Sequence, residues 1–224
     1  MMRNNRHIHK IDVRFNTSVE RSSRVLEVGE AFGLGMSDKE FVVFDNVELA
    51  IDQGDCVYIT GQSGSGKSVL LRELTKNYRE AGKKVGVLDE MELVEKPLID
   101  QLGNNTDEAC QLLSLSGLND AYLMIRKPSE LSDGQRYRFK IALLIASGFE
   151  VIAADEFGAV LDRTTAKVVA YSIRKLCERK GITMLVATTH KDLFWDLRPT
   201  LTIDKTYSDE IDIRRADPHS FLNY

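Results

Sequence analysis

The stretch "CVYITGQSGSGKSVLLREL", residues 56–74, decides the fold. Its first five residues are too short and too apolar for a surface helix and read as a buried strand. Gly61, Gly64 and Gly66 then interrupt the chain, and from Lys67 onward apolar residues recur at helical spacing up to a plausible stop at Gly82. Strand, glycine-rich loop and helix follow one another as the pattern G-x-x-x-x-G-K-[ST] requires, and the pattern is complete from Gly61 to Ser68. Gly64 and Gly66 let the backbone wrap so that amide N–H groups face phosphate oxygens, and the helix N-terminus adds its positive end. Lys67 would reach the β- and γ-phosphates, and the Ser68 hydroxyl would ligate Mg²⁺. Gly61, Ser63, Gly64, Ser65, Gly66, Lys67, Ser68 and Val69 are therefore the candidate nucleotide contacts.

The same order of elements repeats outward from this loop. "KVGVL" (84–88), "VIAAD" (151–155) and "TMLVATT" (183–189) are further short apolar strands. Between the last two, Ala166, Val169, Ala170, Ile173, Leu176 and Cys177 recur at helical spacing before Gly181. Such alternation predicts an α/β fold with a mostly parallel core sheet. Residues 98–125 break that rhythm: they are rich in Leu and cut by "LGNN", "LSG" and "LND", which predicts two or three short helices. They belong to a short helical insertion at about 91–147 that runs into the helix after "LSDGQ" (131–135). Near the start, "KIDVRFNT" (10–17) and "EFVVFDNVELAI" (40–51) predict an N-terminal antiparallel β subdomain, and "PTLTID" (199–204) and "EIDIRR" (210–215) predict further strands before the tail "ADPHSFLNY". No repeat or Pro/Ser-rich linker divides residues 1–224, so a single domain is expected.

Composition narrows the setting. A hydrophobic fraction of 43% can fill a soluble core, and no apolar run approaches the roughly 18 to 20 residues that cross a bilayer. "MMRNNRHIHK" is basic and polar with no apolar run behind it, so a cytoplasmic protein is expected. Cys56, Cys110 and Cys177 are odd in number and outside any C-x-x-C spacing, which argues against a disulfide framework or a zinc site. A net charge of -4 gives no general electrostatic drive toward nucleic acid.

Two further strand ends carry candidate chemistry. "VIAADE" closes an apolar strand with adjacent carboxylates: Asp155 is placed to hold Mg²⁺ and Glu156 to polarise an attacking water. His190 follows the apolar strand "TMLVATT", and in a parallel sheet it would emerge at the same edge as Asp155 and Lys67. His7, His9 and His219 have no such context and are expected on the surface.

Together these segments resemble the ABC (ATP-binding cassette) ATPase family: "GQSGSGKS" as Walker A, "LSDGQ" as the signature motif, "VIAADE" as Walker B, "VLD" (160–162) as the D-loop and His190 as the switch histidine. The resemblance runs from about Arg24 to Asp204. It implies a P-loop NTPase fold of the ABC nucleotide-binding type, ATP and Mg²⁺ as ligands, and catalytic roles for Glu156, His190 and Lys67. It also implies that Ser132, Gly134 and Gln135 serve the phosphate loop of another copy, giving composite sites in a head-to-tail homodimer, with Asp162 at the same junction. The family further suggests an aromatic that stacks on adenine, for which Phe32 in "EAFGLG" is the candidate.

Two departures stand out. Where the family would place a glutamine after the strand "KVGVL", this chain has "DEMELVEK"; Asp89 or Glu90 could supply an oxygen ligand to Mg²⁺, or the stretch is a solvated loop. Asp133 also replaces one of the signature motif's usual small residues. The stretches "PSELSDGQRYRFK", "ADEFGAVLDRTTAK" and "VATTHKDL" are similar to a soluble group of prokaryotic and phage ABC-type ATPases, some fused behind an acetyltransferase-like domain, although no such domain is found in these 224 residues. This resemblance implies a non-transporter ATPase acting on an unidentified protein or nucleic-acid partner. The alternatives are the ATP-binding subunit of a membrane transporter and a DNA-associated ATPase.

Overall fold

The computed structural model describes residues 6–17, 20–34, 39–206 and 210–216. His219 and most of the expected tail lie outside these residues. In chain order the elements are β1 (Arg6–Thr17), α1 (Ser23–Phe32), β2 (Lys39–Asp52), β3 (Cys56–Gly61), α2 (Lys67–Glu80), β4 (Val85–Val87), α3 (Thr106–Leu115), α4 (Ala121–Met124), α5 (Asp133–Ala146), β5 (Val151–Ala154), α6 (Arg163–Lys180), β6 (Thr183–Ala187), α7 (Phe194–Leu197), β7 (Leu201–Lys205) and β8 (Ile211–Arg215). One sheet has the order β4-β5-β6-β3-β7-β8, and β1 pairs with β2 in a second. All neighbours in the large sheet run parallel except β7 and β8. This is the expected α/β architecture, with the antiparallel pair and the helical insertion in place.

Each central strand is apolar throughout because both its faces are covered. Val57 and Ile59 of β3, Val151 and Ala153 of β5, and Leu185 and Ala187 of β6 face α2 and the β1–β2 ribbon, where Leu70, Leu74, Phe44 and Ile51 complete the layer. The alternate residues Cys56, Tyr58, Ile152, Met184 and Val186 face the insertion, α5 and α6. Burying one Leu or Ile in these layers contributes about 1.5–3 kcal/mol. Helix α6 matches its expected span: Asp162 caps its start by accepting from the Thr165 N–H at 3.0 Å, and Gly181 ends it at φ 65.

Helix α1, for which the sequence carried no expectation, has its Ser22 hydroxyl accepting from the Val25 N–H, and Gly33 closes it at φ 62. One expectation is corrected. His9 is not a surface residue: it is 3% exposed, and His7 is half-buried. Both follow from the period of two along β1, which turns His7, His9, Ile11 and Val13 inward against α2. The three cysteines are free thiols, with Cys56 and Cys177 buried.

Gly61 ends β3 in a conformation that admits no side chain: at φ 143, a Cβ would stand 2.0 Å from the Lys205 carbonyl oxygen on β7. Gly82, at φ 76, faces open space. Gly61→Ala is therefore expected to cost more than about 3 kcal/mol by forcing the β3–β7 ladder apart, whereas Gly82→Ala should cost only about 1 kcal/mol. Urea unfolding of the two variants measures the difference, and equal midpoints would mean that β7 yields freely at this contact.

Candidate functional site

The parallel register brings the C-terminal ends of β3, β5 and β6 to one sheet edge. Hydrogen bonds continue past the strands: the Thr188 N–H donates to the Ile59 carbonyl at 3.0 Å, the Phe157 N–H to the Ala187 carbonyl at 3.0 Å, and the Thr188 hydroxyl to the Phe157 carbonyl at 3.3 Å. A cleft of about 230 Å³ opens there, lined by Ser63, Gly64, Gly66, Lys67, Ser68 and Val69 with Asp155, Glu156 and Thr189. A second opening of about 520 Å³ adjoins it through Ser63 and Thr189 and is also lined by Gly61.

The loop is built to receive an anion. Gly66 stands as the N-cap of α2 at φ 100, so no side chain caps the helix and the N–H groups of its first turn remain available. The Ser65 hydroxyl oxygen is buried beneath the loop with no hydrogen-bond partner. Lys67 lies back along the loop, its Nζ donating to the carbonyls of Gly61 at 3.1 Å and Gln62 at 2.7 Å. Burial pulls its ammonium below the ordinary lysine range, opposed by Asp155 and Glu156. The donor set fits a phosphate chain, and Ser68 with Asp155 fits a hard divalent cation beside it.

Asp155 is half-buried and accepts the Glu156 N–H through Oδ1 at 2.9 Å. Glu156 is exposed and holds φ at 44, a left-handed backbone that side chains rarely adopt. Such strain persists only where the surroundings fix it, here by the Phe157–Ala187 ladder bond one residue on.

Asp89 sits in a 3-10 turn (Leu88–Glu90) after β4 and does not line the cleft. Partial burial, then Asp155, raise its carboxyl above the ordinary aspartate value, with Lys140 opposing and Glu156 and Glu90 adding to the rise. Glu90 is engaged elsewhere, in an ion pair with Arg79 at 2.5 Å. Among the described residues no group of three His, Cys, Asp or Glu side chains converges as a ready metal site.

The signature residues stand apart from this cleft. Ser132, Gly134 and Gln135 do not line it. Ser132 and Gln135 form a reciprocal capping box at the start of α5: the Gln135 N–H donates to the Ser132 hydroxyl at 3.3 Å, and the Ser132 N–H donates to Gln135 Oε1 at 2.9 Å. Asp133 is ion-paired with Arg136, which also donates to the Leu131 carbonyl at 2.6 Å. Gly134 packs toward the D-loop, where an added Cβ would lie 3.4 Å from Leu161. Asp162 is occupied as the cap of α6, and the Thr165 hydrogen bonds hold its carboxyl below the usual range. Phe32 ends α1 and is 76% exposed, so it is not a core aromatic.

His190 is half-buried beside the cleft rather than in its lining, and its carbonyl accepts the Tyr58 hydroxyl. Thr189, which lines both openings, was not singled out in the sequence, although its place directly after an apolar strand carries the same signal as that of His190. The sequence reading also passed over Tyr137, whose hydroxyl accepts the Gly158 N–H at 2.9 Å.

A family model described as ABC transporter matches residues 44–159. The methionine import ATP-binding protein MetN 1 of Oenococcus oeni is 29% identical over 185 residues, 67% of this chain and 52% of that protein. The macrolide export ATP-binding/permease protein MacB of Burkholderia thailandensis is 32% identical over 187 residues, 67% of this chain and 28% of that protein. The chain thus spans about half or less of the length of these curated relatives. Among solved structures, the dimeric structure of the bacterial ABC transporter cassette MJ0796 superposes with a TM-score of 0.67 at 19% identity, over 94% of this chain and 100% of that one. A post-hydrolysis state of the same cassette bound to ADP and Pi gives 0.66. At this identity the likeness is one of fold.

The left-handed backbone at Glu156 leads to an outcome separable from chemistry. Glu156→Gly is expected to unfold at higher urea than Glu156→Ala, by about 1 kcal/mol, because only glycine relieves the positive φ. Equal stability of the two variants would show that the backbone relaxes and stores no strain there.

Proposed function

The chain belongs to the ABC transporter family of ATP-binding cassettes, and from that membership we propose that it binds and hydrolyses ATP with Mg²⁺ at composite sites of a head-to-tail homodimer. The observation that carries the proposal is the cleft joining Lys67 and Ser68 to Asp155 and Glu156. Loop N–H groups and the start of α2 bind the phosphates, and Lys67 exchanges its loop carbonyls for phosphate oxygens. Ser68 and Asp155 hold Mg²⁺, which when bound neutralises charge on the phosphates. Glu156 would accept a proton from the attacking water, and Thr189 in the cleft lining, with His190 beside it, would contact the γ-phosphate.

The trans arrangement is supported by the separation within one chain. Ser132, Gly134 and Gln135 stand at the start of α5 and do not line their own cleft, which supports the reading in which they serve a phosphate held by a second copy. The ion pair with Arg136 offsets the charge that Asp133 would bring near it.

The finer reading is an ATPase that acts on a macromolecular partner outside membrane transport, in a cytoplasmic setting. Its support is the acidic turn at Asp89 and Glu90 in place of the glutamine expected there. A second reading, the ATP-binding part of a transporter, is favoured by the relatives named above and by the exposed apolar side chains Val94, Tyr122 and Ile125 on the insertion. No helix of the described residues is long and apolar enough to cross a membrane.

The deciding experiment is the solution mass of Glu156→Gln with and without Mg-ATP. A monomer that becomes a dimer with ATP, and does not when Ser132→Arg is added, is the expected result; a monomer at saturating ATP overturns the composite site. Ser132→Asp separates capping from catalysis. Asp is also a good N-cap, so stability should stay within about 0.5 kcal/mol of wild type while ATP turnover falls steeply. Retained turnover would reduce Ser132 to a cap.

A further inference from the structure

The two histidines that the site does not use form a cluster of their own. On the side of the β1–β2 ribbon that faces α2, His7 and His9 pack against Tyr78, with ring centroids 5.3 Å and 4.4 Å from it and 6.4 Å from each other. His9 is 3% exposed and Tyr78 fully buried. His7 Nε2, His9 Nε2 and the Tyr78 hydroxyl are all buried, and none has a hydrogen-bond partner. Leaving three such atoms unsatisfied costs roughly 1–3 kcal/mol each, so the fold should discard this arrangement unless something fills it.

We propose that His7, His9 and Tyr78 form a binding site for a first-row d-block cation such as Zn²⁺, with the two imidazole Nε2 atoms as ligands and the tyrosine hydroxyl as a third donor. Imidazole nitrogen is a favoured ligand for such ions and a poor one for Mg²⁺, so the site is chemically distinct from the phosphate loop. A metal–nitrogen bond of about 2.1 Å puts an imidazole centroid about 3.2 Å from the ion, so two rings sharing it stand no more than about 6.5 Å apart. That limit holds for a linear arrangement; at a tetrahedral angle the rings stand about 5.3 Å apart, so the half-buried His7 must rotate to close about 1 Å of the observed 6.4 Å when the ion binds. His7 also provides the way in from solvent. A bound ion would clamp β1 to the helix that begins at the phosphate loop.

Zn²⁺ alone, titrated calorimetrically into the untagged chain in excess Mg²⁺ without nucleotide, tests this. One Zn²⁺ per chain is expected, weakened at least about tenfold in His9→Leu and in His7→Gln. Asp155→Asn, which alters only the nucleotide cleft, should bind Zn²⁺ as wild type does. His7→Gln keeps the test decisive if His9→Leu fails to fold, because His7 is half-buried and its folding is checked by circular dichroism. Co²⁺ in place of Zn²⁺ should give visible bands without sulfur-to-metal charge transfer. No binding by wild type, binding unchanged in His7→Gln, or a sulfur band would overturn the proposal; the first result would leave a buried water as the occupant.

Discussion

The structure depends on three parallel strands ending level with one another. In β3, β5 and β6 the ladder does not stop with the strands: Thr188 reaches Ile59, and Phe157 reaches Ala187. These bonds fix the phosphate loop, the acidic pair and the segment around Thr189 as one rim. A parallel ladder has a fixed register because a slip by one residue would turn Val57 and Ile59 away from α2 and expose the opposite face. The apolar packing on both faces is thus what sets the positions of the polar groups at the edge.

The rim is tied to the rest of the chain at points where nothing larger than glycine fits. Gly61 lies against the Lys205 carbonyl, and an added Cβ at Gly66 would stand 2.7 Å from Val43 on the ribbon. On the other face, α5 touches the acidic loop twice, through the Tyr137 hydroxyl on the Gly158 N–H and through Gly134 against Leu161. The signature segment is therefore mechanically connected to the neighbourhood of Glu156 in its own chain. Under the proposed trans arrangement, phosphate held by one copy would be sensed beside the carboxylate of the other.

Much of this was legible in the sequence because the signals were local. The strand, loop and helix around Lys67 follow from glycine placement, and α6 follows from Asp162, a regular apolar stripe and Gly181. Helix α1 went unremarked although Val25, Leu26, Val28 and Phe32 and the caps Ser22 and Gly33 mark it; of its residues only Gly29 is buried. His9 was misplaced although the alternation His7, His9, Ile11 and Val13 was visible, since residue type outweighed period in the reading. The motif S-D-G-Q was read for phosphate alone, yet its spacing is also that of a capping box. What no local pattern could give were the pairings of Arg136 with Asp133 and of Arg79 with Glu90, which depend on where helices place long side chains.

Those pairings give the acidic departures a common logic. Asp133 is offset by Arg136 and Glu90 by Arg79, each at the protein surface. Asp89 has no ion pair among the described residues, and it is the one that couples to Asp155. Partial burial first, and then the nearby charge of Asp155, disfavour ionisation of Asp89 and raise its carboxyl above the ordinary aspartate value. A divalent cation beside Asp155 would reverse that interaction, since both carboxylates then gain from ionising. A carboxylate in this turn therefore differs from a neutral amide by a charge on which Asp155 acts.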